Sequence, residues 1–555
     1  MSPDVPIATW TSVSHACSFL SAMTPTSPRS TKIKFLDLFA GCGGLSLGLE
    51  EAGLELVAAV EKSPMAAETH HRNFHHEGPW TEEHRKRWRE QVEDPLSAAE
   101  QVERGTVVGD IWELLDDEEA MEAIRNGFDD PDRCVIVGGP PCQGFSMAGL
   151  RDPADERNLL PRAFLKFVDQ LEPAAVVIEN VAGINMAFST RGGEEDDESE
   201  FAQLRLALEK TGPKYVVQPV EVNARHFGIP QNRPRMMLIA LRKDLAKAKR
   251  IAGPEDSSRP WRSVDAFEAL KEGSEYMPHL RLVPKIGSMV DKERKGKRQP
   301  FEYTAGHGLI DIDVKGYCPR TRLFSLDTWV KCREKPRDYR ESDYRFARKM
   351  TRPRTGPRRR SPTRLMNHNQ RNHSDPVRKR FALYRLFATK EFQDHFKQTR
   401  RVHKRVPSLN AVLGLRSRLA NDDEAKRAIK DVLEDLVDDC PKRLKDNPDD
   451  NLVDVVMRLG TRKHSQRVVS ANAPAPTVVT LPDDYVHPFE DRIMTVRELA
   501  RFQSFPDWFE FCSKETTGSH RRKVEVPQYS QVGNAVPPLM AQAIGELLME
   551  LLTDD

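Results

Sequence analysis

The fold of this chain is decided by the stretch Ile33-Lys-Phe-Leu-Asp-Leu-Phe-Ala-Gly-Cys-Gly-Gly44. Its first half, Ile33–Leu38, is a short apolar run and predicts a buried strand. The glycines that follow permit a tight turn and let the backbone approach a ligand closely. A helical pattern comes next, so the stretch has the form of the first turn of a βαβ unit.

Further apolar runs of the same kind follow, separated by helical patterns up to about residue 245. Alternating strands and helices predict an α/β domain with a mostly parallel sheet. After residue 246 the pattern becomes polar, Arg-rich and irregular. The further predicted strands are Leu56–Val60, Thr106–Val108, Cys134–Val137, Ala174–Ile178 and Met236–Leu241.

Length and composition favour a multidomain globular protein. The chain has 555 residues, of which 38% are hydrophobic and 30% charged, so two or more domains are expected. No apolar run is long enough to span a bilayer, and no secretory signal is recognisable, so no membrane association is predicted. The 8 cysteines have scattered spacings that suggest neither a disulfide framework nor a metal site. A reducing, cytoplasmic location fits best.

The net charge of +1 hides a strong segregation of charge. Between Arg333 and Val406 there are 24 Lys and Arg against 7 Asp and Glu, with aromatic residues such as Phe381 and Tyr384 interleaved. Such a density of basic residues favours a polyanionic partner, nucleic acid above all. A solvated charge run is the plainer alternative.

Chemically useful residues follow each of the first five predicted strands. Ligands of open α/β sheets bind at the carboxyl ends of the strands. Glu61 lies twenty residues beyond Gly41, where such folds bind ribose hydroxyls, and Asp110 is able to accept a hydrogen bond from an adenine amino group. Either carboxylate could instead simply cap a helix. Cys142 follows the fourth strand and Glu179 the fifth.

The setting of Cys142 indicates covalent chemistry, although a lone cysteine is more often a buried, inert thiol. Pro140 and Pro141 fix the chain before it. Attack by a thiolate on C6 of cytosine makes the poorly nucleophilic C5 reactive, and the thiolate can leave again. A carboxyl group near N3 and a cation near O2 would assist. Glu179 is a candidate for the carboxyl group near N3. The segment Gln231-Asn-Arg233-Pro-Arg235 holds candidates for the cation near O2.

Six ordered motifs resemble those of the DNA (cytosine-5)-methyltransferase family. The resemblance covers roughly residues 33–245 and 462–555. It implies a Rossmann-like domain that uses S-adenosylmethionine, plus a smaller, irregular target-recognition domain. The motifs are Asp37-Leu-Phe-Ala-Gly-Cys-Gly-Gly44, Gly139-Pro-Pro-Cys-Gln143, Glu179-Asn-Val181, Gln231-Asn-Arg233-Pro-Arg235, Arg497-Glu-Leu-Ala-Arg-Phe-Gln-Ser-Phe-Pro506 and Gln531-Val-Gly-Asn-Ala-Val-Pro-Pro538.

The resemblance also implies roles for individual residues. The cysteine would be the nucleophile, the glutamate would contact the N3 edge of cytosine, and the two arginines would support the active site, with Arg235 near O2. The implied catalytic residues are Cys142, Glu179, Arg233 and Arg235. The implied cofactor-binding residues are Phe39, Ala40, Gly41, Cys42, Gly44, Glu61, Asp110, Ile111, Gly139, Pro141 and Asn534.

The implied organisation has four parts: a disordered tail at 1–30, a catalytic domain at 31–245, a target-recognition region at 246–490, and a returning segment at 491–555. The predicted partner is double-stranded DNA, whose target cytosine must be flipped out of the helix with the help of a loop from Gln143 to about Arg162. The whole is typical of a monomeric prokaryotic modification enzyme. A restriction endonuclease acting on the same site is a further hypothesis.

Three alternatives belong to other classes. An RNA cytosine methyltransferase on the same core is one, although the large basic region favours duplex DNA. A non-catalytic DNA-binding relative would lack the nucleophile or the acid, yet Cys142 and Glu179 are both present. A nicotinamide-dependent enzyme is disfavoured because the first turn lacks the GxGxxG pattern.

Overall fold

The structure is a computed structural model. It describes residues 32–141, 159–181, 200–251, 260–272, 466–518, 521 and 524–553. Shorter described stretches lie between these: 282–286, 290–291, 299–300, 302–309, 317–318, 323–324, 346, 349–350, 352, 365–389, 427, 429, 431 and 459. The predicted tail and most of the basic segment between Arg333 and Val406 lie outside the described residues.

The central sheet of the described chain has eight strands in the order β3-β2-β1-β4-β5-β8-β6-β9. The first five strands pair in parallel, and β8 runs antiparallel between β5 and β6. The predicted mostly parallel α/β sheet is therefore confirmed. The strands are β1 (Lys34–Leu38), β2 (Glu55–Glu61), β3 (Thr106–Val108), β4 (Cys134–Gly138), β5 (Ala175–Val181), β6 (Tyr215–Asn223), β8 (Pro234–Arg242) and β9 (Trp261–Arg262).

Strand β6 was not predicted from the sequence. Its middle contains Gln218 and Pro219, which interrupt the apolar pattern that indicates a buried strand. Tertiary packing buries Gln218 to 4% exposure all the same, because β6 lies between β8 and β9. Eight short strands of the described chain lie outside the large sheet and form four pairs. They are β7 (Gln231–Asn232), β10 (Val290–Asp291), β11 (Gln299–Pro300), β12 (Tyr317–Cys318), β13 (Leu323–Phe324), β14 (Arg467–Val468), β15 (Ala475–Pro476) and β16 (Tyr485–Val486).

Helices cover both faces of the sheet and form the C-terminal part of the chain. Several begin at a capping residue, such as Thr495: its hydroxyl accepts a hydrogen bond from Glu498 N, and the Glu498 carboxylate accepts one from Thr495 N. The helices are α1 (Gly44–Ala52), α2 (Pro64–Phe74), α3 (Glu82–Glu93), α4 (Ala98–Glu103), α5 (Ile111–Asp116), α6 (Glu118–Gly127), α7 (Leu160–Leu171), α8 (Glu200–Lys210), α9 (Lys243–Ala248), α10 (Ser263–Lys271), α11 (Ala305–Leu309), α12 (Asp375–Ala388), α13 (Val496–Phe502), α14 (Gln528–Asn534) and α15 (Pro538–Leu552).

The C-terminal helix α15 packs directly on α1, about 490 residues earlier in the chain. Two glycines permit this approach. A Cβ atom on Gly48 would lie 2.3 Å from the carbonyl oxygen of Pro538, and one on Gly44 would lie 2.2 Å from that of Val536. Apolar residues of α15 share one core cluster with β1, β4, β5 and β8. The helix that follows the sixth motif is therefore part of the core of the α/β domain.

No single helix of the described chain is long and apolar enough to cross a membrane. Only the pair α14 and α15 passes such a test together, with a bend of 42° between them.

The described part of the basic region contains α12. Its aromatic residues Phe381 and Tyr384 are 1% exposed each, so they pack in a core and do not present their rings to solvent. Arg378 on the same helix is exposed. On this helix the interleaving of arginines and aromatic rings thus reflects an amphipathic element.

Candidate active site

The turn after β1 has an unusual backbone. Phe39, Gly41 and Gly43 all adopt positive φ values, of 60°, 57° and 94°. Such a value is costly for a residue with a side chain and is found disproportionately at functional sites. A Cβ atom on Gly41 would meet nothing within 4 Å, so this side of the turn faces open space. The turn therefore offers a ligand an accessible stretch of backbone.

Glu61 at the end of β2 holds this turn in place. Its Oε2 accepts a hydrogen bond of 2.8 Å from Gly41 N, and its Oε1 accepts one of 2.7 Å from Ser63 N. Burial raises the pKa of Glu61, and the two backbone hydrogen bonds oppose that shift. Each carboxylate oxygen retains a lone pair for a ribose hydroxyl.

Asp110 at the end of β3 does cap a helix, as the plainer alternative expected. Its Oδ1 accepts a hydrogen bond of 2.9 Å from Trp112 N, and Lys62 Nζ donates to its Oδ2 at 2.7 Å. The hydrogen bond from Lys62 lowers the pKa of Asp110. Ile111 is buried in the core, and Phe39 packs on the same apolar cluster.

Cys42 and Gly44 face the C-terminal segment. The Cys42 thiol is 1% exposed and donates to the carbonyl oxygen of Gln531 at 3.6 Å. Burial raises its pKa far above the usual value, so this thiol stays protonated. Gly44 is a glycine because the Val536 carbonyl occupies the space of a side chain. Both residues therefore pack against the C-terminal segment.

A buried carboxyl group that the sequence analysis did not single out lies at the end of β1. Asp37 is 1% exposed, and its Oδ2 accepts a hydrogen bond of 2.5 Å from Ser46 Oγ. Its Oδ1 is buried and receives no hydrogen bond from the described residues. Burial raises the pKa of Asp37 to about 7. The sequence does contain a signal for this buried carboxyl group, because Asp37 is a charged residue inside an otherwise apolar strand.

Glu179 and Arg235 form a buried ion pair where β5 meets β8. Arg235 Nε lies 2.8 Å from Glu179 Oε1, and the two residues are 8–9% exposed. Burial lowers the pKa of Arg235, and the neighbouring carboxylate opposes that change. On the other side, a Cβ atom on Gly139 would lie 3.2 Å from Glu179 Oε2. The carboxylate of Glu179 is thus fixed beside the chain that leaves β4.

Arg233 has different neighbours, although it belongs to the same motif. It lies in the break between β7 and β8 and is 1% exposed. Its guanidinium group donates to three backbone carbonyls, those of Val478 at 3.3 Å and of Gly533 and Ala535 at 3.0 Å each. These contacts fasten the C-terminal segment. They flank Asn534, whose side chain is exposed at the end of α14.

Gln231 supports the same connection. Its Nε2 donates to the carbonyl oxygen of Phe502 at 3.0 Å, and its Oε1 accepts a hydrogen bond of 2.8 Å from Val478 N. The short strand β15 pairs with β7 at this point. The predicted motif block at 231–235 and the block at 497–506 therefore meet in space.

The described residues do not include every predicted site residue. Cys142 lies outside them, as does the predicted loop up to residue 158. The chain is described as far as Pro140, which is buried, and Pro141, which is half-buried. Gly109, Asp110, Gly139 and Pro141 all lie at the same carboxyl edge of the sheet as the turn after β1.

Comparison with known proteins identifies the family of this chain. The family model described as C-5 cytosine-specific DNA methylase matches residues 33–97 and 109–550. The chain belongs to the C-5 cytosine-specific DNA methylase family. The family transfers a methyl group from S-adenosylmethionine to DNA.

Curated relatives match along almost the whole chain. Type II methyltransferase M.DdeI of Desulfomicrobium norvegicum is 26% identical over 93% of this chain and 88% of its own length. M.XorII of Xanthomonas oryzae pv. oryzae is 27% identical over 93% and 84%. M.AgeI of Thalassovita gelatinovora is 25% identical over 93% and 99%.

The residues at the sheet edge fit S-adenosylmethionine. The turn after β1 presents open space at Gly41, Asp37 keeps a buried oxygen without a hydrogen bond beside that turn, and the carboxylates of Glu61 and Asp110 follow on the next two strands. Acceptors of this kind suit the ammonium, ribose and adenine groups of the donor. The donor supplies an electrophilic methyl group.

Proposed function

We propose that this methylase modifies C5 of a flipped-out cytosine within a specific duplex sequence, through a covalent bond between Cys142 and C6. The observation that carries the proposal is the buried Glu179–Arg235 ion pair, which lies beside the chain leading from β4 to Cys142. A fixed carboxyl group next to a cysteine-bearing loop suits chemistry in which charge develops on a pyrimidine ring.

The residues have the following roles in this proposal. The Cys142 thiolate bonds to C6, and the electrons of the C5–C6 double bond become available at C5. Glu179 shares a proton with N3 as charge builds there, while Arg235 orients that carboxyl group and lies near O2. After methylation a base, plausibly water, removes the C5 proton, the double bond re-forms, and the thiolate leaves.

The cofactor would be held along the carboxyl edge of β1 to β4. Glu61 would receive the ribose hydroxyls and Asp110 the adenine amino group, with Phe39 against the adenine ring. The backbone of the glycine turn would line the methionine end. The remaining proposed contacts are Ala40, Gly41, Cys42, Gly44, Ile111, Gly139, Pro141 and Asn534.

The rest of the chain would serve DNA recognition. The catalytic domain would span 31–245 and the recognition region 246–465, because contacts of Val478 with Gln231 and Arg233 favour a returning segment that begins near residue 466 instead of residue 491. The relatives are type II methyltransferases, which supports a modification role for this chain. We propose in addition that the enzyme is a cytoplasmic monomer and that a restriction endonuclease reads the same DNA site.

The test is incubation with labelled S-adenosylmethionine and, separately, duplex DNA or transfer RNA, followed by mass spectrometry of the bases. We expect 5-methylcytosine in DNA alone. Label in RNA alone would overturn the substrate, and turnover by Cys142→Ala near the wild-type rate would overturn the mechanism. Cys134→Ala is the matched control, because that thiol is buried in β4 and burial raises its pKa.

A further inference from the structure

Asn180 connects the strand of the catalytic acid to the loop of the nucleophile. It follows Glu179 in β5 and is 4% exposed. Its Oδ1 accepts a hydrogen bond of 2.8 Å from Val181 N, and its Nδ2 donates one of 3.1 Å to the carbonyl oxygen of Pro140. The first contact orients the side-chain amide, so the NH2 group has to face Pro140.

The peptide group that accepts this hydrogen bond, between Pro140 and Pro141, has only one hydrogen-bonding atom. Residue 141 is a proline and has no N–H, so the carbonyl oxygen of Pro140 is the only hydrogen-bonding atom of the 140–141 peptide. The proline rings fix φ at both positions, which leaves ψ of Pro140 as the soft dihedral. The direction of its carbonyl sets that angle, and Asn180 holds the carbonyl.

A second contact constrains the same loop from the side of Glu179. A Cβ atom on Gly139 would lie 3.2 Å from Glu179 Oε2 and 3.6 Å from the Glu179 carbonyl oxygen. The chain therefore passes close to the carboxylate just before it reaches Pro140. Two neighbouring side chains of one strand thus contact the chain at Gly139 and Pro140, directly before position 142.

We propose that Asn180 is a positioning residue, which directs the chain from Pro140 towards the nucleophile and so sets the geometry of adduct formation. The inference rests on the proposed role of Cys142. Asn180 acts on the covalent step, whereas affinity for DNA and for S-adenosylmethionine does not depend on it.

Two substitutions separate this role from simple support. Asn180→Ala removes the donor. Asn180→Asp is nearly isosteric and still accepts from Val181 N, but it brings a carboxylate oxygen against the Pro140 carbonyl oxygen, so it should be the more harmful change. The control is Asn73→Ala, because Asn73 is a buried asparagine that bridges backbone groups of α2 and residue 510 instead of contacting Pro140.

The assay is single-turnover formation of a protein–DNA adduct on a duplex with 5-fluorocytosine at the target, which bisulfite sequencing of modified DNA would first locate. With fluorine in place of hydrogen at C5 there is no proton for the base to remove, so the covalent adduct persists. We expect the rate to fall about 10- to 100-fold in the Asn180 variants, in line with the cost of misplacing a reacting group. Binding of DNA and of S-adenosylmethionine should change less than about 2-fold on the same reasoning.

The pH dependence of the adduct rate distinguishes positioning by Asn180 from a merely structural role. In Asn180→Asp, protonation of the new carboxyl group restores a donor for the Pro140 carbonyl. The ratio of the variant's adduct rate to the wild-type rate should therefore rise as the assay pH is lowered over about three units, from roughly 8.5 to 5.5. A flat ratio, adduct rates within about 2-fold of wild type, or an equal loss in Asn73→Ala would overturn the proposal.

The two hypotheses fail in different ways. Adduct formation by Cys142→Ala at the wild-type rate would reject the proposed function itself. Loss of the adduct in Cys142→Ala with normal rates in both Asn180 variants would reject only the positioning role.

Discussion

The sharpest test of the site concerns Arg233, which the family motif groups with Arg235 but which contacts other parts of the chain. Its guanidinium group donates three hydrogen bonds to carbonyls of the segment that returns from the C-terminal side. The perturbation is Arg233→Met, which keeps much of the volume and removes every donor.

The expected loss of stability follows from these contacts. Hydrogen bonds from a charged donor contribute about 1.5–3 kcal/mol each, and carbonyls left buried without a donor cost about 1–3 kcal/mol. Burial also lowers the pKa of Arg233 strongly, and its Nε has no hydrogen bond within the described chain, so desolvation of the charge offsets part of the gain. We expect a net loss of about 3 kcal/mol in the free energy of unfolding.

The functional effect should appear in cofactor affinity. Two of the three carbonyls belong to Gly533 and Ala535, which flank Asn534. Freeing this segment should raise the Kd for S-adenosylmethionine about 10-fold or more, while kcat at saturating cofactor changes little. Urea unfolding, calorimetric titration and methyl transfer measure the three quantities.

Arg87→Met is the control, because Arg87 is an exposed arginine that pairs with Glu83 one turn away on α3. It should change stability by less than about 1 kcal/mol. The reasoning is refuted if Arg233→Met keeps its stability and cofactor affinity and yet loses kcat about 100-fold, since that pattern belongs to a residue that acts on the transition state.

Three further predictions follow from other contacts. Gly48→Ala should destabilise the protein by about 1–3 kcal/mol through overpacking against α15, whereas Gly109→Ala, with nothing within 4 Å, should change unfolding by about 0.5 kcal/mol or less in urea titrations. Because the pKa of Asp37 is raised to about 7, its contribution to stability is full below its ordinary pKa near 3.8 and is lost as the pH rises through 7. The free energy of unfolding of Asp37→Asn should therefore rise relative to the wild type between pH 5 and 8, by about 3 kcal/mol, and an unchanged difference in melting experiments would contradict this. If the exposed Arg378 binds a phosphate, Arg378→Ala should reduce the slope of log affinity against log salt by about 1, and an unchanged slope would remove α12 from the DNA interface.

Much of the site could be predicted from local sequence because parallel strands bring their carboxyl ends to one edge. Gly41, Glu61 and Asp110 follow three separate predicted strands, and the structure brings all three to that edge. The same argument applies to Glu179 at the end of β5. The spacing of hydrophobic residues was sufficient to predict these strands, because it depends only on residues that are close in the sequence.

Long-range contacts set the rest. Gln218 and Pro219 concealed β6, because burial between two strands overrode the local preference of these residues. Cys42 and Gly44 were predicted at the cofactor, but the side-chain position of each is occupied by contacts with the C-terminal segment. No periodicity reports such contacts, since the partners lie almost 500 residues apart.

The sequence by itself determined the class of fold, the family and the residue types available for the chemistry, because motifs and strand patterns are local. The tertiary structure decided how these residues are divided between tasks. Arg233 and Arg235 are two residues apart and chemically identical, yet one is surrounded by backbone carbonyls and the other by the carboxylate of Glu179. A guanidinium group acts according to the acceptors around it, and those acceptors come from distant parts of the chain.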